Sequence, residues 1–121
     1  MAKSETLPVQ KDAEKLCKHT LIITNNLDNF PTKYRFTLVD RVLRISFDIH
    51  DYICDANNTF DMSERVELIQ RGISSCRKMK MYTRMVLEVL HPKCSVSYWD
   101  KLIDNIEKQL RNWKEYTKKL I

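Results

Sequence analysis

The amino-acid sequence predicts an all-α protein that folds as an antiparallel up-down-up-down four-helix bundle. The chain has 121 residues with one glycine and three prolines, so it has few of the turn residues that sheets require. Four stretches carry apolar residues at helical spacing. The connections between them are short, and short connections place consecutive helices side by side in opposite directions. A chain of this length also buries a core without disulfides or metal.

The first helix is expected over residues 9–29, after a flexible lead at residues 1–8, and residues 9–121 are expected to form a single domain. Phe30-Pro31 should end this helix, because the residue before a proline disfavours the helical region. The apolar stripe of this helix comprises Val9, Ala13, Leu16, Thr20, Ile23 and Leu27.

The second helix is expected to begin near Thr37, a suitable N-cap with Asp40 three residues later. Asn57-Asn58-Thr59 should end it, because these residues favour turns. Its core stripe comprises Leu38, Val42, Ile45, Ile49, Tyr52 and Ala56.

The third helix is expected to begin at Asp61 or Ser63 and to end before His91-Pro92. Gly72 in its middle is unfavourable for a helix, which indicates close approach of a neighbouring helix. Its seam at heptad spacing comprises Val66, Ile69, Ile73, Cys76, Thr83, Leu87 and Leu90.

The fourth helix is expected to begin at Ser95 or Ser97 and to run to Lys119. Its inner face comprises Trp99, Ile103, Ile106, Leu110, Trp113 and Leu120.

The second half of the third helix is apolar on most of its sides instead of along one stripe. A helix of this kind requires burial on most sides, and an isolated bundle would leave part of it exposed. We therefore predict a subunit interface there; the alternative is a wide core face in which methionines fill gaps. The predicted interface residues are Met79, Met81, Tyr82, Met85 and Val89.

The formal net charge is +5, and the basic residues are clustered on two helices. A basic balance favours polyanionic partners, and Lys and Arg on helix faces neutralise phosphates without reading base sequence. Arg77, Lys80 and Arg84 are spaced i, i+3, i+7 and share a face. Solvated helix surface is the alternative interpretation. The predicted binding residues are Arg71, Arg77, Lys78, Lys80 and Arg84 in the third helix, and Lys108, Arg111, Lys114 and Lys118 in the fourth.

No catalytic signature occurs, so we expect neither enzymatic activity nor a cofactor. Glu88-x-x-His91 is the one match to the Glu-x-x-His unit of di-iron sites, and such sites require two of these units. His50 and Cys54 are four residues apart, which is too few ligands for a metal site.

The N-terminal residues contain no signal peptide, and no apolar run is long enough to span a membrane. The four cysteines form no C-x-x-C motif and are typical of reduced, partly buried thiols. We expect a cytoplasmic protein without a membrane partner.

Residues 30–41, FPTKYRFTLVDR, form the most specific segment of the chain. This segment resembles the F-P-K-x-x-R-F-T-L-x-x-R signature of small bacterial four-helix-bundle proteins. That group includes the accessory variability determinants (Avd) of diversity-generating retroelements and proteins encoded in intervening sequences of ribosomal RNA genes. The resemblance extends over about residues 10–118 and includes Gly72, Arg77 and Trp113.

The resemblance implies a homopentameric barrel of four-helix bundles that binds a retroelement reverse transcriptase and its template RNA. It further implies a non-catalytic role in error-prone cDNA synthesis and mutagenic retrohoming, with catalysis left to the transcriptase. Arg77 matches a basic position of the family, whereas a second basic position falls on Met81, and Lys80 and Arg84 are the available substitutes. The alternative is a four-helix-bundle protein of an rRNA intervening sequence, with an unknown role.

Overall fold

A computed structural model describes residues 6–121. Across this range the chain is helical, with four α-helices and no strand: α1 (Pro8–Thr24), α2 (Asp40–Asn57), α3 (Met62–Leu90) and α4 (Val96–Lys118). The predicted all-helical class and number of helices are thereby confirmed. Most of the predicted N-terminal lead lies outside the described residues, and α1 begins within it, at Pro8.

Helix α1 ends at Thr24, earlier than the sequence predicted. The Asn26 side chain accepts a hydrogen bond from the Asp28 amide at 3.0 Å, and the Phe30 amide donates to the Asn26 carbonyl at 2.9 Å. These local bonds compete with helical ones and form a compact turn. Leu27 is consequently exposed instead of lying on the apolar stripe, whereas Phe30 is buried.

The entry into α2 also differs from the prediction. A 3₁₀ turn (Thr32–Tyr34) and a π-helical turn (Arg35–Val39) precede α2, and the Asp40 amide donates to the Arg35 carbonyl. Thr37 is therefore not an N-cap, because the backbone before it is already helical and accepts the bonds that a cap would satisfy. Its hydroxyl donates instead to the Tyr34 carbonyl at 3.4 Å.

The boundaries of α3 and α4 agree with the sequence. The Asp61 carboxylate accepts from the Ser63 amide at 3.0 Å, and the Ser95 hydroxyl accepts from the Tyr98 amide at 3.0 Å. Such caps satisfy amides that have no partner within the helix. Helix α3 ends where His91 adopts a left-handed conformation with φ of 46°.

The core lies between the four helices and follows most of the predicted stripes. Leu87 and Leu120 are exposed, and Met79 and Val86 of α3 are buried in addition to the predicted seam. The cause in α3 is its length of 29 residues, because a straight helix drifts about 20° per heptad from a strict seven-residue repeat. The largest fully buried side chains include Trp99, Phe30, Leu16, Ile49, Ile53, Ile69, Ile73, Ile103, Ile106 and Leu110.

Each helix packs against two neighbours: α1 and α3 each contact both α2 and α4. Helices α3 and α4 approach closely at Gly72, where an added Cβ would lie 3.1 Å from Cδ1 of the buried Leu110. This close approach confirms the reason that the sequence suggested for a mid-helix glycine. Side-chain hydrogen bonds join the same two helices from Thr83 to Asp100 at 2.6 Å and from Lys114 to Gln70 at 2.7 Å.

Candidate nucleic-acid interface

The predicted basic residues of α3 divide into free cations and paired ones. Arg77, Lys78 and Arg84 are exposed, and within residues 6–121 they form no ion pair or hydrogen bond. Arg71 is bonded to Glu67, one turn earlier on its own helix, at 3.1 Å. The free side chains keep their full hydrogen-bonding capacity for an external anion, and arginine suits phosphate best because it binds in a bidentate manner.

Lys80 belongs to the contact between α3 and α4, not to a free basic face. Its ammonium donates to the Asp104 carboxylate across the two helices, and this hydrogen bond raises the pKa of Lys80. Beside it, the Thr83 hydroxyl donates to Asp100. A phosphate would have to compete with Asp104 for Lys80, so the predicted face of three free cations is reduced to Arg77 and Arg84.

The predicted cluster on α4 is divided in the same way. Arg111 pairs with Glu107 at 2.9 Å, and Lys118 pairs with Glu115 at 3.7 Å. Lys114 donates to Gln70 of α3. Lys108 is exposed and makes no such bond among the residues that the structure describes. The helical pattern alone could not reveal the pairing of Lys80 and Lys114, because their partners come from another helix.

The sequence prediction missed a row of lysines on α1. Lys11, Lys15 and Lys18 are spaced i, i+4, i+7, all exposed, and none forms an ion pair in the described part of the chain. Asp12 and Glu14 lie between Lys11 and Lys15 in the sequence, so this stretch does not show as a cluster of basic residues. A helical projection reveals it, because residues at these spacings share one face.

The predicted oligomer interface is partly exposed in the single chain. Met81, Met85 and Val89 are 56%, 44% and 54% exposed and follow one another at i, i+4, i+8. Tyr82 is half-buried beside them. Met79, in contrast, is 0% exposed and belongs to the core, so its assignment to the interface was wrong. It lies on the inward side of α3, seven residues before the buried Val86.

Another exposed apolar residue, outside the predicted interface, lies in residues 30–41, the segment that carries the family resemblance. Phe36, on the π-helical turn, is 84% exposed. It borders one groove with Leu21 and Leu43, and another with Ile45 and Tyr82. Single π turns are uncommon and are frequent at functional sites.

The potential metal ligands do not converge. The Cys54 sulfur lies 3.5 Å from His50 Nε2 and accepts a hydrogen bond from Gln10 Nε2 at 3.2 Å. Among residues 6–121, no group of three or more His, Cys, Asp and Glu side chains is placed to hold a metal ion. Two ligands do not complete a site.

We expect thiol labelling to distinguish the four cysteines. Burial raises the pKa of Cys17 to about 11 and that of Cys76 to about 12, and it also raises the pKa of the half-buried Cys54 and Cys94. Because the thiolate is the reactive form, a disulfide reagent at pH 8 should label Cys54 and Cys94 slowly. Cys17 and Cys76 should react only after denaturation, as peptide mass mapping would show. Rapid labelling of Cys76 in the native protein would contradict the packing of α3.

No protein-family model, no curated protein and no solved structure matches the chain. Within the described residues, none of the helices combines the length and apolarity that crossing a bilayer requires.

Proposed function

We propose that this protein is a non-catalytic accessory subunit of a diversity-generating retroelement, which binds the reverse transcriptase and its template RNA. In this role it is required for mutagenic cDNA synthesis and retrohoming, and it acts in the cytoplasm. The observation that carries the nucleic-acid part of the proposal is the pair of exposed arginines without partners, Arg77 and Arg84, on α3. The resemblance of residues 30–41 supports the retroelement role.

The proposed subunit is an antiparallel up-down-up-down bundle that assembles into a homo-oligomer, a pentameric barrel by resemblance. Contacts between helices support the antiparallel order. Asp12 and Thr20 of α1 contact Gln109 and Trp99 of α4, so the residue numbers of the two helices run in opposite directions. The exposed stripe of Met81, Met85 and Val89 supports the oligomer, because monomers rarely leave such apolar surface open.

A four-helix-bundle protein of an rRNA intervening sequence is the second candidate, favoured by the same resemblance. The genomic neighbourhood distinguishes the two. A reverse-transcriptase gene beside a template repeat supports the retroelement role, and a position within an rRNA gene supports the alternative.

We expect RNA binding to be salt-sensitive and to depend on Arg77 and Arg84. Each phosphate contact contributes about −0.7 to the slope of log K against log salt for a single strand. The variant R77A/R84A should therefore bind RNA more weakly, with a slope shallower by about 1.4. Fluorescence anisotropy with a labelled RNA of non-repetitive sequence at several salt concentrations measures both quantities. DNA of the same sequence should bind with comparable affinity, because phosphates are the target.

The control variant is R44A/R71A, which removes the same charge from two exposed arginines that are paired with Asp40 and Glu67. Its slope should change less than that of R77A/R84A. The double variant R77A/R84A should also reduce cDNA yield and transcriptase capture in a pull-down, with helicity preserved. Full cDNA yield from folded R77A/R84A, or an affinity independent of salt, would refute the role of this face.

A further inference from the structure

The lysine row of α1 is free of internal neutralisation. Of the two acids beside the row, Asp12 points toward α4, where its carboxylate accepts from Asn105 at 3.1 Å and Gln109 at 2.7 Å. The other, Glu14, forms no ion pair with these lysines in the described chain. Lys11, Lys15 and Lys18 thus keep their charges without a carboxylate partner among residues 6–121. Charges held in this way are available to an external anion.

These lysines border a shallow groove, which we call the α1 groove, on the side of α1 that faces α4. Tyr98 of α4 forms its far wall, is 41% exposed and packs edge-to-face on His19, with ring centroids 5.1 Å apart. Burial lowers the pKa of His19, with a further contribution from Lys15, which favours the neutral form of this ring. The groove is lined by Lys11, Glu14, Lys15, Lys18, His19, Ile22 and Tyr98.

Helix α4 carries two more lysines, which are exposed but do not line the groove. Lys101 and Lys108 are seven residues apart and so share a face, and both are exposed without a partner in the described chain. The hydrogen bonds from Gln109 to Asp12 and from Trp99 to Thr20 set the register of the two helices. In this register Lys108 is level with Lys11, and Lys101 is level with Lys18. Glu14 is the one acid that lines the groove.

We infer that the α1 groove binds single-stranded nucleic acid, with the lysines on the phosphates and Tyr98 as a stacking surface for a base. The inference rests on the proposed function and adds a binding surface to it. A basic groove that follows the backbone and an exposed aromatic ring are the two elements of sequence-independent single-strand binding. A base pair within a duplex could not stack on Tyr98, because both of its faces are already covered.

The α1 groove is separate from the arginine pair of α3. Helices α1 and α3 each pack against α2 and α4, and so lie across the bundle from each other. One subunit thus presents two candidate phosphate-binding surfaces, on two helices that are not neighbours. An anionic membrane is a poorer fit to the groove, because the apolar stripe of α1 is buried and Ile22 is the one large aliphatic residue in the lining.

The test compares two variants of the full chain with equal net charge. K11Q/K15Q/K18Q removes the lysine row, and K33Q/R41Q/K93Q removes three exposed cations from outside it. With a labelled single-stranded 20-mer RNA, the first variant should show a salt slope shallower by about 2, from three contacts of about 0.7 each. The second should stay close to the parent slope. Equal slopes for both variants would show a net-charge effect and overturn the inference.

A second measurement examines the stacking surface. Y98L should lower affinity for the single strand about fivefold or more, and affinity for the matching duplex less than twofold. Tyr116 of α4 is also exposed but does not line the groove, so Y116L is the control. Unchanged single-strand affinity of folded Y98L would overturn the inference.

The outcomes also separate this inference from the proposed function. If R77A/R84A lowers RNA affinity and K11Q/K15Q/K18Q does not, the role of the α3 surface is supported and the inference about the α1 groove is wrong. If the parent protein binds no RNA, both the proposed function and the inference about the α1 groove are wrong. If K11Q/K15Q/K18Q loses binding to vesicles of phosphatidylserine and phosphatidylcholine but retains RNA binding, the groove is a membrane contact and the inference is wrong.

Discussion

Replacing Met81 and Met85 by glutamate is expected to convert the proposed multimer into folded monomers. Both side chains are about half exposed in the single chain, so the substitutions remove little from its own core. At an interface between subunits they would place two charges per chain in an apolar contact. Unpaired buried charges cost several kcal/mol each, which is enough to dissociate an assembly at micromolar concentration.

Sedimentation velocity of M81E/M85E beside the parent protein measures this change, with circular dichroism to verify helicity. L120E/I121E is the matched control, because it places two acids on exposed apolar residues at the C-terminus. That variant should remain multimeric. A monomeric parent protein would refute the interface. If M81E/M85E is multimeric, the interface lies elsewhere, and the exposed Phe36 is the next candidate.

Truncating Trp99 to alanine is expected to cause the largest loss of stability among single substitutions. Trp99 is fully buried, packs edge-to-face on Phe30 at 6.3 Å and donates its indole N–H to the Thr20 hydroxyl at 3.1 Å. Removal of a buried tryptophan side chain costs about 3–5 kcal/mol, a large share of the 5–15 kcal/mol typical of a whole domain. Urea denaturation at fixed protein concentration measures the difference.

Two further variants separate the packing of Trp99 from its hydrogen bond. T20V leaves the buried indole N–H without its acceptor, which should cost about 1–3 kcal/mol. W113A removes the other tryptophan, which is half-buried and lies 5.9 Å from the Arg65 guanidinium, so its cost should be well below that of W99A. Equal losses for W99A and W113A would contradict the placement of Trp99 in the centre of the core.

Features that depend on a few neighbouring residues could be predicted from the sequence. The caps at Asp61 and Ser95 and the stop after Asn57 are local, because each involves side chains within a turn of the backbone that they satisfy. Two of the wrong predictions, at Thr37 and Leu27, lie where local hydrogen bonds compete with the helix. The spacing of apolar residues does not show whether a continued helix or a local hydrogen-bonded turn has the lower free energy.

The candidate site was less predictable than the fold. The sequence identified the basic residues of α3 and α4, yet Lys80 is paired with Asp104, a residue of another helix. The lysine row of α1 was not predicted because Asp12 and Glu14 lie between its lysines in the sequence, whereas in the folded chain the Asp12 carboxylate bonds to Gln109. A cluster of basic residues in a sequence does not show which of them form ion pairs in the folded chain.

Four helices, their approximate ends and most of the side chains that they bury follow from the sequence alone, because periodicity and caps are properties of each helix. The packing of the helices against one another buries Met79 and leaves Met81 on the surface, and it pairs Lys80 while Arg77 and Arg84 stay free. The physical reason is that burial and ion pairing depend on the rotation and register of helices distant in sequence. A rotation of α3 by a fraction of a turn would exchange those roles.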